Sequence, residues 1–203
     1  LCRHGETGHA GHGQRGRRAT ERGGALYARP MDRLVGVPEL LDGPLDDRAA
    51  LVGNLRDLAR INRITGGAAL SVRAVEDLRA LGQVGRVLDV GTGAGDIPVA
   101  LVRAARRSGR GIRITAIDSR PEVLAAAVVA RPGLEAIAEI QLEVADGRAL
   151  PYPDAAFDVA HASLVLHHLE PAEAIQFLRE LRRVATVGVV VNDLVRSRIN
   201  WFG

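Results

Sequence analysis

The stretch that decides the fold reads Val87-Leu88-Asp89-Val90-Gly91-Thr92-Gly93-Ala94-Gly95-Asp96. An apolar strand runs into a glycine-rich turn, and the turn runs into a helix that we predict over residues 97–107. Glycine lets the backbone turn sharply and lets a ligand touch the main chain. The helix N-terminus adds N–H donors that have no partner within the helix. The stretch therefore predicts a strand–turn–helix unit that binds a ligand.

Strands and helices alternate on the C-terminal side of this unit. Apolar runs and turn residues predict further strands over residues 113–118, 140–145, 157–163 and 187–191. Helices are predicted between them, one capped by Ser119 and ending at Ala130, and one over 171–183. Because strands separated by helices imply parallel crossovers, the sequence predicts an α/β fold. We expect a doubly wound, Rossmann-like, mostly parallel sheet with helices on both faces.

The chain divides into three segments. Residues 1–30 are rich in glycine and poor in apolar residues, which predicts a disordered tail. Residues 31–85 form an N-terminal helical segment, with one helix from about Asp46 or Asp47, either of which can cap it, and a second from Val72 with Ser71 as its N-cap. Residues 86–203 form the main domain. Met31 directly follows the tail, and we hypothesise that it is the true start.

Charge and cysteine content narrow the function classes. All 27 basic residues are arginine, and residues 31–203 hold 21 of them against 22 acidic residues, so this part of the chain is close to neutral. A basic patch for nucleic acid is therefore not expected. The single cysteine, Cys2, allows no disulfide within the chain and no zinc site, so we predict no metal and a cytoplasmic location. No apolar run reaches the length of a membrane span.

The glycine spacing bears on the kind of cofactor. The turn is Gly-x-Gly-x-Gly, and Asp96 stands where the dinucleotide fingerprint requires its last glycine. Asp89 and Asp96 suit a cationic sulfonium better than a pyrophosphate. Asp118 ends the second strand and can accept hydrogen bonds from ribose hydroxyls, while Asp146, before Gly147, can accept one from an adenine amino group. An NAD-binding oxidoreductase stays open as an alternative.

These residues resemble the class I S-adenosylmethionine-dependent methyltransferases. The resemblance continues through residues 150–159 and 163–169, where it is similar to the ubiquinone/menaquinone-biosynthesis-type enzymes. It implies a S-adenosylmethionine cofactor, with the helical segment at 31–85 acting as a lid. The cofactor contacts it implies are Gly91, Gly93, Gly95, Asp118, Asp146 and Gly147, with Asp89 near the methionine amino end.

The resemblance also implies a small-molecule acceptor, such as a phenolic, quinol or polyketide-like hydroxyl or ring carbon. We predict His167 and His168 as catalytic candidates, because they follow the fourth strand at the edge where an open parallel sheet binds ligands. One of them is expected to face the pocket and orient an acceptor hydroxyl, the alternative being a capping or core histidine. Ser163, Asn192 and Asp193 are predicted to line the same pocket, and His161 to be packed.

Two further alternatives stay open. The family's sheet normally ends with an antiparallel hairpin, and this sequence stops at Gly203 soon after the fifth strand. We therefore expect the hairpin to be missing or the sequence to be truncated, so a degenerate cofactor-binding remnant is the second alternative. Arg3-His4-Gly5-Glu6-Thr7 looks like a histidine-phosphatase motif, but no apolar strand precedes it.

Overall fold

Five parallel strands form one sheet. The computed structural model describes residues 47–82 and 84–194. The predictions for the tail at 1–30, for Met31 and for the motif at residues 3–7 lie outside this part of the chain. The strands are β1 Arg86–Val90, β2 Arg113–Asp118, β3 Ile140–Val144, β4 Phe157–Ser163 and β5 Ala185–Asn192.

The strand order is β3-β2-β1-β4-β5, and every neighbouring pair is parallel. Residue Val87 of the central strand β1 lies beside Ile114 of β2 and Val159 of β4. The chain thus changes direction across the sheet at β1, which leaves a crevice beyond its carboxyl end. The predicted α/β, doubly wound fold is confirmed.

Helices cover both faces of the sheet. They are α1 Arg48–Ile64, α2 Gly67–Leu81, α3 Asp96–Arg107, α4 Pro121–Ala130 and α5 Pro171–Val184, with short 3₁₀ turns at Leu134–Ala136 and Leu166–His168. Successive side chains of β1 point to opposite faces. Val87 packs in the core formed with α1 to α4, whereas Leu88 packs in the core around Phe177 of α5.

The start of α1 agrees with its predicted cap, whereas the start of α2 does not. The Asp47 carboxylate accepts hydrogen bonds from the N–H groups of Ala49 (2.9 Å) and Ala50 (3.0 Å). The predicted N-cap Ser71 lies inside α2, which begins four residues earlier at Gly67. Gly66 has a left-handed backbone (φ +83°), so the chain leaves α1 and starts the next helix at once. The prediction of Ser71 as a cap is therefore wrong.

Ser119 does not cap α4. The N-cap residue is Arg120, without a side-chain cap hydrogen bond, and its N–H donates to the Asp118 carboxylate at 3.2 Å. The Asp118 carboxylate thus binds the N–H of the N-cap residue, and no side-chain cap hydrogen bond replaces the one predicted for Ser119. Strand β5 is the last strand of the described part, and the residues relevant to a C-terminal hairpin lie beyond Leu194, outside it.

Candidate functional site

The three glycines of the turn after β1 differ in what surrounds them. All three have left-handed backbones, with φ of +70° at Gly91, +49° at Gly93 and +64° at Gly95. A Cβ at Gly91 would lie 2.5 Å from the Val165 side chain, and one at Gly95 would lie 2.9 Å from Leu134. A Cβ at Gly93 would have only one atom within reach, the Gly91 carbonyl at 4.0 Å. Packing therefore explains the outer glycines, while Gly93 borders open space.

A cavity of about 290 Å³ lies over this turn at the carboxyl ends of β1, β2 and β4. Of the predicted site residues, the cavity is lined by Asp89, Gly91, Gly93, Asp118, Ser163 and His168. The Asp118 carboxylate accepts hydrogen bonds from the N–H groups of Gly93 and Arg120, both at 3.2 Å. Burial raises the pKa of Asp118, although these two hydrogen bonds oppose the rise. The main chain thus fixes one carboxylate in the cavity wall.

Two buried hydroxyl groups in the cavity wall have no hydrogen-bond partner. Thr92 Oγ1 and Ser163 Oγ are both inaccessible to solvent, and neither is bonded to any group in the described part of the chain. An unpaired buried hydroxyl costs about 1–3 kcal/mol, so its persistence calls for an explanation. A polar ligand in the cavity supplies one for both groups. Ser163 is a predicted site residue, whereas nothing in the sequence distinguishes Thr92 from any other residue between two glycines.

A buried hydrogen-bonded chain runs from the cavity into α2. His161 Nδ1 lies 2.6 Å from the Asp89 carboxylate, and its Nε2 lies 2.9 Å from Ser71 Oγ. Asn192 Nδ2 donates to Ser71 Oγ at 3.2 Å and to the Gly67 carbonyl at 3.0 Å. A neutral imidazole protonated at Nδ1 satisfies every contact, because Nε2 then accepts the Ser71 hydroxyl proton.

This network changes the interpretation of three residues. His161 is fully buried, as the prediction of a packed residue requires, and it also binds Asp89. The amide of Asn192 donates hydrogen bonds to α2 and does not line the cavity. The structure therefore places Asn192 outside the pocket that it was predicted to line. Ser71 connects both of them to the N-terminal helices.

The two predicted catalytic histidines have different surroundings. His168 lines the cavity, whereas His167 does not; its Nδ1 lies 2.7 Å from the Asp193 carboxylate. The other Asp193 oxygen accepts the N–H groups of Val165 (3.1 Å) and Leu166 (2.7 Å). Burial would raise the pKa of Asp193, but its hydrogen bonds, first that from His167, lower it overall. Asp193 therefore fixes the loop after β4 and does not itself line the cavity.

Asp146 and Gly147 lie outside the cavity lining. Both oxygens of the Asp146 carboxylate accept hydrogen bonds from Arg148, which lower its pKa, and Arg148 also binds Glu173 at 2.6 Å. A Cβ at Gly147 would lie 2.5 Å from Phe177, so packing against α5 already requires glycine there. These two residues follow β3, which pairs with β2 and ends beside Asp118, but they lie beyond the cavity lining, and their role toward adenine stays a prediction.

Helix α1 closes one side of the cavity. Its residues Leu55, Leu58 and Asn62 line the cavity, and the Asn62 amide donates to the Asp96 carboxylate at 2.8 Å. Burial raises the pKa of Asp96, against the effect of that hydrogen bond. A lid role for this helical segment stays a prediction. Among the residues that the structure describes, no helix is both long and apolar enough to cross a membrane.

The sequence profile of the methyltransferase domain family matches residues 87–188. The chain belongs to this family. It is 31% identical over 105 residues to ajmaline N-methyltransferase of Rauvolfia serpentina, covering 52% of this chain and 34% of that protein. It is 32% identical over 108 residues to the ubiquinone/menaquinone biosynthesis C-methyltransferase UbiE of Geobacter sp. (strain M21), covering 53% and 44%. The chain thus spans less than half the length of either relative.

The fold is also that of solved methyltransferase structures. A candidate S-adenosyl-L-methionine-dependent methyltransferase of Methanococcus maripaludis aligns with a TM-score of 0.55 and 16% identity, over 73% of this chain and 66% of that one. Membership of the family implies S-adenosylmethionine as the cofactor and decides against the NAD-binding alternative.

The residues present fit that cofactor. Three carboxylates line the cavity, those of Asp89, Asp96 and Asp118, with Arg120 as the single cation among the lining residues described. An acidic cavity suits a compound that carries a sulfonium and an ammonium group. Gly93 leaves the space that a close approach to the main chain requires, and the hydroxyls of Thr92 and Ser163 are unpaired.

Proposed function

We propose that this chain transfers a methyl group from S-adenosylmethionine to a small-molecule acceptor, a phenolic, quinol or polyketide-like hydroxyl or ring carbon. The observation that carries the proposal is the cavity over Gly93, with Asp118 fixed by two main-chain hydrogen bonds and two unpaired hydroxyls in its wall. The relatives named for N- and C-methyl transfer support a small acceptor, although the chain matches only part of each.

The carboxylates and the glycine turn bind and orient the cofactor. Asp118 would accept hydrogen bonds from the ribose hydroxyls, and Asp89, at the end of the buried hydrogen-bond network from α2, would face the methionine amino group. When bound, the cofactor supplies an activated methyl group on a cationic sulfur. The protein then has to align the acceptor and exclude water, which contributes on the order of 7–11 kcal/mol to the lowering of the barrier. Helix α1, over the cavity, supports the water-excluding role of a lid.

His168 is the candidate for orienting the acceptor. Of the two histidines it is the one that lines the cavity, and His167 is engaged by Asp193. If the acceptor hydroxyl starts protonated, a positioned base adds about 100- to 10,000-fold in rate. His167 then acts as a positioning residue, because its contact with Asp193 fixes the loop that carries His168.

The test is a methyl-transfer assay with labelled S-adenosylmethionine on a panel of phenols and quinols, run beside calorimetric titration of the cofactor. We expect saturable cofactor binding and turnover of at least one acceptor. His168→Ala should lower kcat with little change in cofactor affinity. Absence of binding at millimolar cofactor would refute the site itself. Binding without turnover on any acceptor would favour the degenerate remnant.

A cytoplasmic location, inferred from the single cysteine, stays a prediction.

A further inference from the structure

A second concave surface, which we call the arginine groove, lies between α1, α2, α3 and the end of α4. It encloses about 660 Å³, more than the cofactor cavity. Three helices and the residue after α4 each contribute arginines to it. The arginines that line it are Arg56, Arg60, Arg63, Arg73, Arg103, Arg107 and Arg131. The single acidic residue among its lining residues is Asp96, whose carboxylate is bonded to Asn62.

The charge in the groove is out of proportion to the rest of the domain. Residues 47–82 and 84–194 contain 18 arginines and 18 acidic residues, so this part of the chain has no net charge when histidine is neutral. Seven of those arginines, and one of those acids, line the groove. A high arginine content of the whole chain does not explain this separation, because 17 of the 18 acidic residues in the described part lie outside the groove lining.

Four of the seven arginines of the groove lack the ion pairs that Arg106 and Arg183 make outside it. On α3 itself, Arg106 points away from the groove and binds Glu139 at 2.6 Å. On α5, Arg183 binds Glu180 at 2.7 Å. Within the described residues, four arginines of the groove have neither a hydrogen bond nor an ion pair: Arg63, Arg73, Arg103 and Arg107.

Like charges at this spacing repel one another. Arg56 and Arg60 on α1, and Arg103 and Arg107 on α3, are each four residues apart and lie on the same face of their helix. Such pairs destabilise a helix. A concave surface lined by one sign of charge concentrates the potential and attracts counter-ions of the opposite sign. The guanidinium fork matches the oxygens of phosphate with two parallel hydrogen bonds.

We propose that the arginine groove binds a small molecule that carries two or more phosphate groups. Its concave shape and limited volume fit a compact oligophosphate better than an extended nucleic-acid backbone, which needs a longer basic surface. Leu55, Ala94 and Asp96 line both the groove and the cofactor cavity. The ligand therefore lies against the wall of the cofactor cavity, in a site of its own that does not depend on methyl transfer.

Calorimetric titration with inorganic pyrophosphate at physiological salt, without S-adenosylmethionine, tests the proposal on the full chain. We expect one saturable site with a submillimolar Kd. The double variant Arg103→Gln/Arg107→Gln should weaken binding about tenfold or more, because it removes two of the phosphate ligands. The matched control is Arg48→Gln/Arg179→Gln, which removes two exposed arginines outside the groove and should change the Kd less than about twofold.

Thermal melting of each variant checks that it is folded, which is expected because all four substituted side chains are exposed. No saturable binding of pyrophosphate, or an equal loss in both double variants, would overturn the proposal. A short single-stranded oligonucleotide provides the second arm. Tighter binding of the oligonucleotide than of pyrophosphate, lost in the groove variant alone, would replace the small ligand by a nucleic-acid backbone.

Discussion

Replacing His161 tests the buried series of hydrogen bonds that runs from the cofactor cavity to α2. His161→Leu retains much of the side-chain volume but removes the 2.6 Å contact with Asp89 and the 2.9 Å contact with Ser71. Asp89 is 3% exposed, so water cannot replace the lost donor. Ser71 Oγ still accepts the hydrogen bond from Asn192, and only its own hydroxyl proton loses an acceptor, which is a smaller loss than that of a charged group. The loss therefore falls mainly on the buried carboxylate.

The expected cost in folding stability follows from the loss at the Asp89 carboxylate. A hydrogen bond to a charged group contributes about 1.5–3 kcal/mol, and leaving a buried charge without its partner costs about 3–5 kcal/mol. We expect His161→Leu to lower the free energy of unfolding by about 3 kcal/mol, a fall in Tm of roughly 6–12 °C for a chain of this length. Urea unfolding followed by far-ultraviolet circular dichroism measures the first quantity, and thermal melting the second.

A double-mutant cycle shows whether the stability lost in His161→Leu comes from its contact with the Asp89 carboxylate. In an Asp89→Asn background the charge is absent, so His161→Leu should cost at least about 1 kcal/mol less than in the native chain. The comparison is made without cofactor, so that cofactor affinity does not enter. If His161→Leu costs under about 1 kcal/mol, or costs the same in both backgrounds, the argument from the buried contact is refuted.

Three further predictions concern the cavity and α1. Gly93→Ala should weaken S-adenosylmethionine binding about tenfold by calorimetry and cost about 1–2 kcal/mol of stability because its backbone is left-handed. Gly95→Ala has the same backbone strain and also clashes with a core leucine, so it should cost about 1–3 kcal/mol more; equal losses of stability in the two variants would contradict this difference. Asp47→Ala should cost about 1 kcal/mol by removing the N-cap of α1, while Asp57→Ala, at an exposed ion pair, should cost under about 0.5 kcal/mol in the same urea unfolding experiment; similar costs would contradict the cap. Because burial raises the pKa of Asp118, its contribution to cofactor-free stability is present below its unfolded pKa and is lost as the pH rises through its folded pKa. Affinity for the cofactor should instead fall as the pH is lowered through that raised pKa, because the carboxylate becomes protonated. Asp118→Asn should flatten that affinity profile, and an unchanged profile would remove Asp118 from the site.

The strands could be predicted from sequence because they are short and their residues are mostly apolar. Buried parallel strands read as continuous apolar runs, and β1, β2 and β4 begin and end where those runs do. Helix starts were harder to predict, because a hydroxyl in front of an apolar run has several uses. Ser71 and Ser119 both satisfy the capping pattern, but one is bonded to a buried histidine and the other is replaced by Asp118.

The cofactor-site residues that lie at or just after strand ends could be predicted from the sequence. Gly91 and Gly93 follow β1 and Asp118 ends the adjacent strand β2, so topology alone places them at one edge of the sheet. The contacts between Asp89 and His161, and between Ser71 and Asn192, join residues 72 and 121 positions apart, and no local pattern marks either pair. The arginine groove likewise forms only when three helices pack together.

The buried hydrogen bonds from Asp89 through His161 to Ser71 explain why the N-terminal helices are part of the site. A carboxylate that receives a cationic ligand acts best when its position is fixed beforehand, since no reorganisation is then needed on binding. Asp89 obtains that fixed position from His161, and His161 obtains its second hydrogen bond from Ser71 in α2. Residues 87–188 of the family match leave Ser71 out, so that part of the chain contains the carboxylate without the last group that orients it. Helices α1 and α2 therefore belong to the proposed cofactor site as much as the glycine turn does.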